Sequence, residues 1–206
     1  MERHHLAYAA YIIMLLALVG AIVLTPFLAF THDVGVSYDA FGPTCHQKLS
    51  RSLCVFSDGG GYWVADCTPQ EGEYVTSSED KEAIEVRNDS VQGFKMPVCA
   101  RDIGLYGAML LGGLAYPLLR RLDDVSVYPA IYLVLAIVPL AIDGGGQLVS
   151  EIGILPFVYE SSNLMRLLTG GIAGFAASFY ALPLILGFAI ATKNQKGSSG
   201  SGPRRS

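Results

Sequence analysis

Two short stretches of the chain carry side chains able to do chemistry. In the first, Cys45, His46 and Gln47 stand in succession; in the second, Cys99, Arg101, Asp102 and Tyr106 fall close together. Cys45, His46, Cys99 and Asp102 offer sulfur, nitrogen, sulfur and oxygen donors, a set that zinc or another divalent transition metal accepts in tetrahedral geometry. The same residues admit redox chemistry, because His46 beside Cys45 would lower the thiol pKa of a Cys45–Cys99 couple. A third group lies further on. Asp143 and Gln147 are four apart and share a helix face. Asn163, Arg166 and Thr169 repeat at helical spacing, with Glu160 and Ser162 just before them. Read functionally, Asp143, Glu160 and Arg166 orient or protonate a substrate, and Gln47, Arg101, Tyr106, Gln147 and Asn163 are the expected cofactor-binding residues of the same pocket. Read structurally, Asp143, Gln147 and Arg166 lock a helix bundle by hydrogen bonding.

The elements that must position these groups are membrane spans. Of 206 residues, 51% are hydrophobic and 16% charged, with a mean hydropathy of +0.41. The apolar residues gather in long runs, the membrane signature. Leu6–Phe30 is long enough to cross a ~30 Å hydrocarbon core, and too long for the ~7–15-residue apolar part of a cleaved signal peptide. Further spans are expected at Ile103–Leu119, Val125–Val149 and Leu164–Thr192, the last rich in small residues (Gly170, Gly171, Gly174, Ala177, Ser178) that let helices approach closely. Asp143 then sits ~9 Å deep, six residues from the end of its span. Arg166 enters from the fourth span at similar depth, and Asp143 with Arg166 is the simplest pair, since charges in the bilayer need partners.

Arg3, Arg120, Arg121, Lys193 and Lys196 fall on one side of a four-span chain, which makes that side cytoplasmic. The expected fold is an all-α membrane protein: a four-helix transmembrane bundle in the cell membrane, both termini cytoplasmic, capped by an extracytoplasmic Cys-containing loop over residues 31–101. A flexible tail occupies 193–206. A net charge of −4 without a Lys/Arg cluster excludes nucleic acid as a partner. Membrane lipid, a lipid-soluble small molecule and a second copy of the chain are the partners this architecture suits.

All four cysteines (Cys45, Cys54, Cys67, Cys99) lie in the loop. They admit two structural disulfides, a metal site, or a redox couple. Cys54 with Cys67 is the pair expected first, because Gly59-Gly60-Gly61 between them could turn a hairpin. Val36–Tyr38, Tyr62–Ala65 and Glu73–Thr76 could each supply a strand, and Glu79–Val86 a helix. Tyr8, Tyr11, Tyr128 and Tyr159, near span ends, read as interfacial anchors.

The strings Cys45-His46-Gln47, Arg51-Ser52 and Cys99-Ala100-Arg101-Asp102-Ile103-Gly104-Leu105-Tyr106-Gly107 resemble a family of prokaryotic polytopic membrane proteins, a domain of unknown function marked by Cys-His-Gln and Cys-x-Arg-[Cys/Asp]-x-Gly-x-Tyr motifs. Asp143-Gly144-Gly145-Gly146-Gln147 and Glu160 to Gly170 extend the resemblance, which runs from about Phe41 to Gly174. It implies topology and no activity. Relatives often carry Cys where this chain has Asp102, which weakens a vicinal dithiol mechanism here. They also have a shorter segment between Cys54 and Lys95. The resemblance therefore assigns Cys54 and Cys67 to structure and leaves Cys45 and Cys99 for the site. Three functions follow as expectations: a metal-binding membrane protein acting as a metal-dependent enzyme, a thiol–disulfide oxidoreductase coupled to a lipid-soluble carrier, and a non-enzymatic scaffold.

Overall fold

The structure, a computed structural model, describes residues 3–43, 48–67, 85–88, 91–154 and 156–198, apart from the side chains of 87, 88 and 192–198. Four long helices, α1 (Arg3–Ala29), α3 (Ala100–Leu119), α4 (Ala130–Glu151) and α5 (Asn163–Ser198), alternate with a short helix α2 (Gly35–Phe41) and four strands. The stretches Arg3–Ala29, Ala100–Leu119, Ala130–Glu151 and Asn163–Ala191 are each long and apolar enough to cross a membrane. They match the four expected spans to within a few residues.

The expectation of an all-α chain is corrected. Strands β1 (Leu53–Ser57), β2 (Tyr62–Asp66), β3 (Glu85–Asn88) and β4 (Val91–Lys95) form an antiparallel sheet in the order β2-β1-β4-β3. Here β-branched and aromatic residues alternate around tight turns, and pairing satisfies backbone groups that a bare loop would leave to water. The expected strand at Tyr62–Ala65 is β2. Val36–Tyr38 is instead helical, within α2, and Val86 lies in β3 rather than a helix. Glu73–Thr76 and residues 79–84 lie outside the described residues.

The hairpin β1–β2 turns through residues 58–61, with Gly59 at φ 88°. It brings Cys54 and Cys67 to a Cα separation of 5.0 Å, joined in a disulfide. Cys54, Cys67, Phe56, Val86 and Leu49 make a small core of their own. The sheet sits on the end of α1, where Phe30 meets Tyr62 and Phe94 edge to face. Behind it, Tyr38 donates its hydroxyl to the carbonyl of Lys95.

Within the bundle, α3 and α5 touch backbone to backbone. A Cβ at Gly104 would stand inside the carbonyl of Leu167, and one at Gly170 or Gly174 inside the carbonyl of Arg101 or Leu105. Glycine is what permits this approach. At the far end from the sheet, Tyr11, Leu15, Tyr116, Leu182 and Leu186 form the apolar core of α1, α3 and α5. Tyr11 is therefore buried rather than interfacial; its hydroxyl lies 3.2 Å from Ser178 Oγ, which donates to the Met109 carbonyl at 2.7 Å. Helix α4 differs from the rest. Its buried side chains are Asp143 and Gln147, both polar.

Candidate functional site

The polar cluster forms where the sheet meets the ends of α3, α4 and α5. Each helix delivers a charged or amide group there, α3 and α5 from their first turns and α4 from its last. Helix α3 brings Arg101 on its first turn, next to Cys99 at the N-cap. Helix α4 brings Asp143, Gln147 and Glu151. Helix α5 brings Asn163 and Arg166, and the segment before it brings Tyr159, Glu160 and Ser161. A one-turn 3-10 segment, Leu49–Arg51, leads into β1 and adds Ser50 and Arg51.

Asp143 does not pair with Arg166. Its Oδ2 accepts from Arg101 Nη2 at 2.5 Å and its Oδ1 from the Tyr159 hydroxyl at 3.1 Å. Gly144, the next residue, makes room for the guanidinium: a Cβ there would come within 3.1 Å of Arg101 Nη1. Arg101 Nε is buried and has no hydrogen-bond partner among the described residues.

Arg166 is 1% exposed. Its Nε donates to Ser161 Oγ at 3.1 Å and its Nη1 to Asn163 Oδ1 at 3.2 Å; Glu160 Oε1 stands 3.5 Å from Nη2. Gln147, with its amide oxygen turned to the cations, accepts from Arg166 Nη2 at 2.6 Å and from Arg51 Nη2 and Nε at 2.9 and 3.0 Å. Two guanidinium groups thus share one neutral acceptor. Arg51 also pairs with Glu151, which Lys48 approaches at 3.4 Å. Asn163 ties the helix end to the sheet, donating from Nδ2 to the Ser52 carbonyl at 3.2 Å and to Asp66 Oδ1 at 3.0 Å.

The guanidinium groups lie inward and two of the three carboxylates outward, with the Glu160 and Glu151 side chains 47% and 39% exposed. Burial alone would raise the Glu160 pKa. The Ser50 hydroxyl bond and the positive charges of Arg166 and Arg51 outweigh it and hold the carboxyl below its ordinary value. The Tyr159 phenol is held above its ordinary value, first by donating to Asp143 and then by burial.

The structure brings together Arg101, Asp143, Gln147, Glu160, Asn163 and Arg166 from the residues singled out in sequence. Cys99 and Asp102 form a second contact on α3, Sγ to Oδ2 at 3.1 Å, and Tyr106 is half-buried one turn on. Cys45, His46 and Gln47 lie outside the described residues. Among the described residues no group of three or more His, Cys, Asp or Glu is placed to hold a metal ion. Sequence reasoning missed Arg51, Tyr159 and Ser161 as members of the cluster. Arg51 stands in the loop and Tyr159 has the look of an interfacial anchor, so neither carries a periodic signal of its own.

No solved structure matches the chain. An uncharacterized protein of the archaeon Methanocaldococcus jannaschii is 41% identical over 98 residues, which is 48% of this chain and 58% of that relative. A family model described as a predicted membrane protein, DUF2085, matches residues 84–180. That stretch contains α3, α4 and the first half of α5, so it holds every member of the cluster except Lys48, Ser50 and Arg51. Over its helical half, then, the chain is similar to the membrane proteins that model describes.

Proposed function

We propose that this membrane protein binds an anionic ligand at the cluster of Arg51, Arg101 and Arg166, on the extracytoplasmic side, with both termini cytoplasmic. The observation that carries the reading is Arg101 Nε: a buried guanidinium N–H without an acceptor among the described residues, beside two further guanidinium groups that share a neutral amide. Arginine forks suit the paired oxygens of phosphate or carboxylate. Glu160 is the partner an entering anion displaces, since it is the most exposed carboxylate and only 3.5 Å from Arg166. Asp143 serves as a positioning residue, because both of its oxygens are already engaged. Arg3, Arg120 and Arg121 at the opposite end support the orientation.

The test is calorimetric titration of methyl phosphate into the full chain in phosphatidylcholine nanodiscs. Arg101→Gln removes charge-assisted hydrogen bonds worth ~1.5–3 kcal/mol, a weakening of roughly 10- to 150-fold. No heat of binding, or equal affinity in the variant, refutes the reading.

A second reading is a zinc-type site of Cys45, His46, Cys99 and Asp102, and the 3.1 Å approach of Cys99 Sγ to Asp102 Oδ2 favours it. Elemental analysis of protein purified without chelators should then find one ion per chain, lost in Cys99→Ser. No bound ion in the unaltered chain rejects it.

A further inference from the structure

Two apolar hollows open side by side between α4 and α5, with Phe175 and Ala176 in the walls of both. The one nearer the sheet, about 550 Å³, includes Ala108, Ala136 and Leu168 in its walls. The other, about 600 Å³, is walled by Tyr132, Phe179 and Tyr180. Together they follow α5 from Leu167 to Tyr180, ~20 Å at helical rise. Their origin is the way α4 is held. Its polar pair, Asp143 and Gln147, fastens it at the sheet end, and Tyr180 donates to the Pro129 carbonyl at 2.8 Å at the other. Between these points α4 stands off α5.

The furrow points at the arginines. Ala108 lies seven residues beyond Arg101 on α3, and Ala136 seven before Asp143 on α4. Residues seven apart share a helix face and are separated by ~10 Å. The walls are therefore apolar up to about two turns from the cations and polar beyond.

We infer that the furrow holds the hydrocarbon chain of a lipid whose phosphate headgroup sits at Arg101 and Arg166. This rests on the anion-binding reading above and names the ligand class. Charge complementarity selects the occupant: Arg101 and Arg166 stand in the first turns of α3 and α5, at the sheet end of two candidate spans, and the furrow runs away from that end along α5. Its ~20 Å exceeds half of a ~30 Å hydrocarbon core, so a long chain lies in it lengthwise.

The test uses the full chain in phosphatidylcholine nanodiscs and two photoreactive probes, hexadecyl phosphate and hexadecyl glycerol ether, each with a diazirine near the chain end. The phosphate probe should label peptides spanning 131–138 and 167–180 at least ~10-fold above the neutral probe, a difference of ~1.4 kcal/mol in binding. Ala136→Phe, which fills the furrow without touching the arginines, should abolish that excess and leave methyl phosphate binding unchanged. Equal labelling by the two probes overturns the inference, as does undiminished labelling in Ala136→Phe. So does a dimer whose second copy covers these peptides. If methyl phosphate binds but the phosphate probe shows no excess, the furrow assignment alone fails; if methyl phosphate does not bind, the anion reading fails with it.

Discussion

The contact between α3 and α5 makes a sharp prediction, because one helix carries both the test and its control. At Gly104 a Cβ would stand inside the Leu167 carbonyl, whereas at Gly107, one turn along, it would meet nothing within 4 Å. Both Gly→Ala changes gain the same helix propensity, about 1 kcal/mol, and both restrict the unfolded chain alike. Subtracting one from the other leaves the steric term. Backbone cannot rotate out of the way as a side chain can, so the overpacking cost of ~1–3 kcal/mol applies in full. Gly104→Ala should thus be less stable than Gly107→Ala by that amount, roughly a 5- to 150-fold change in the folding equilibrium. Circular dichroism during SDS titration of the protein in mild detergent micelles measures the difference. Equal midpoints and slopes for the two variants would refute the backbone contact.

Three further outcomes are expected. Cys54→Ser with Cys67→Ser opens a loop with a sequence separation of 13, and thermal unfolding should show a loss of about 3 kcal/mol. Asp143→Asn leaves Arg101 facing a neutral amide. With the Arg101 side chain 22% exposed, the loss should be about 2–3 kcal/mol, under the ~3–5 kcal/mol of a fully buried pair, and a cycle with Arg101→Met should show the two sites coupled. The third concerns acid. Glu160 has a depressed carboxyl pKa, so its stabilising contribution is complete above the ordinary Glu value of about 4.3 and disappears as pH falls through the lower folded value. Unfolding midpoints followed from pH 6 to pH 3 should decline less steeply in Glu160→Gln; parallel curves would show that Glu160 contributes nothing to acid sensitivity.

The spans were legible because a bilayer imposes length and apolarity on any crossing segment, as at Leu6–Phe30 and α1. The Cys54–Cys67 hairpin was legible from three glycines between two cysteines. The partner of Asp143 was not. Counting residues along the spans puts Arg166 at the depth of Asp143 and leaves Arg101 in the loop, whereas α3 begins at Ala100 and carries Arg101 on its first turn. Which of them faces Asp143 depends on rotation about the helix axes, and that is set by the glycine contact between α3 and α5, a tertiary fact. The sheet was half legible. Strand β2 has the β-forming Tyr62-Trp63-Val64, whereas Val36–Tyr38 has the same residue types in too short a stretch to hold a strand against α2. Arg51 stands in the Arg51-Ser52 string of the resemblance but takes no role from it, because its place in the site comes from the turn into β1 and an arginine in an acidic loop has no periodic pattern.

Helix α4 buries only an acid and an amide, and this bears on how the molecule assembles. Its outward residues, among them Val134, Leu135, Ile142 and Leu148, stay exposed, so little apolar packing commits it to its neighbours. Helices α1, α3 and α5 share a greasy core and can associate on their own, leaving α4 to latch on last through hydrogen bonds. Cooperative units held by few buried contacts open at the lowest free energy. In hydrogen exchange, α4 should therefore be the first of the long helices to lose protection, swinging away as one piece while the other three stay joined.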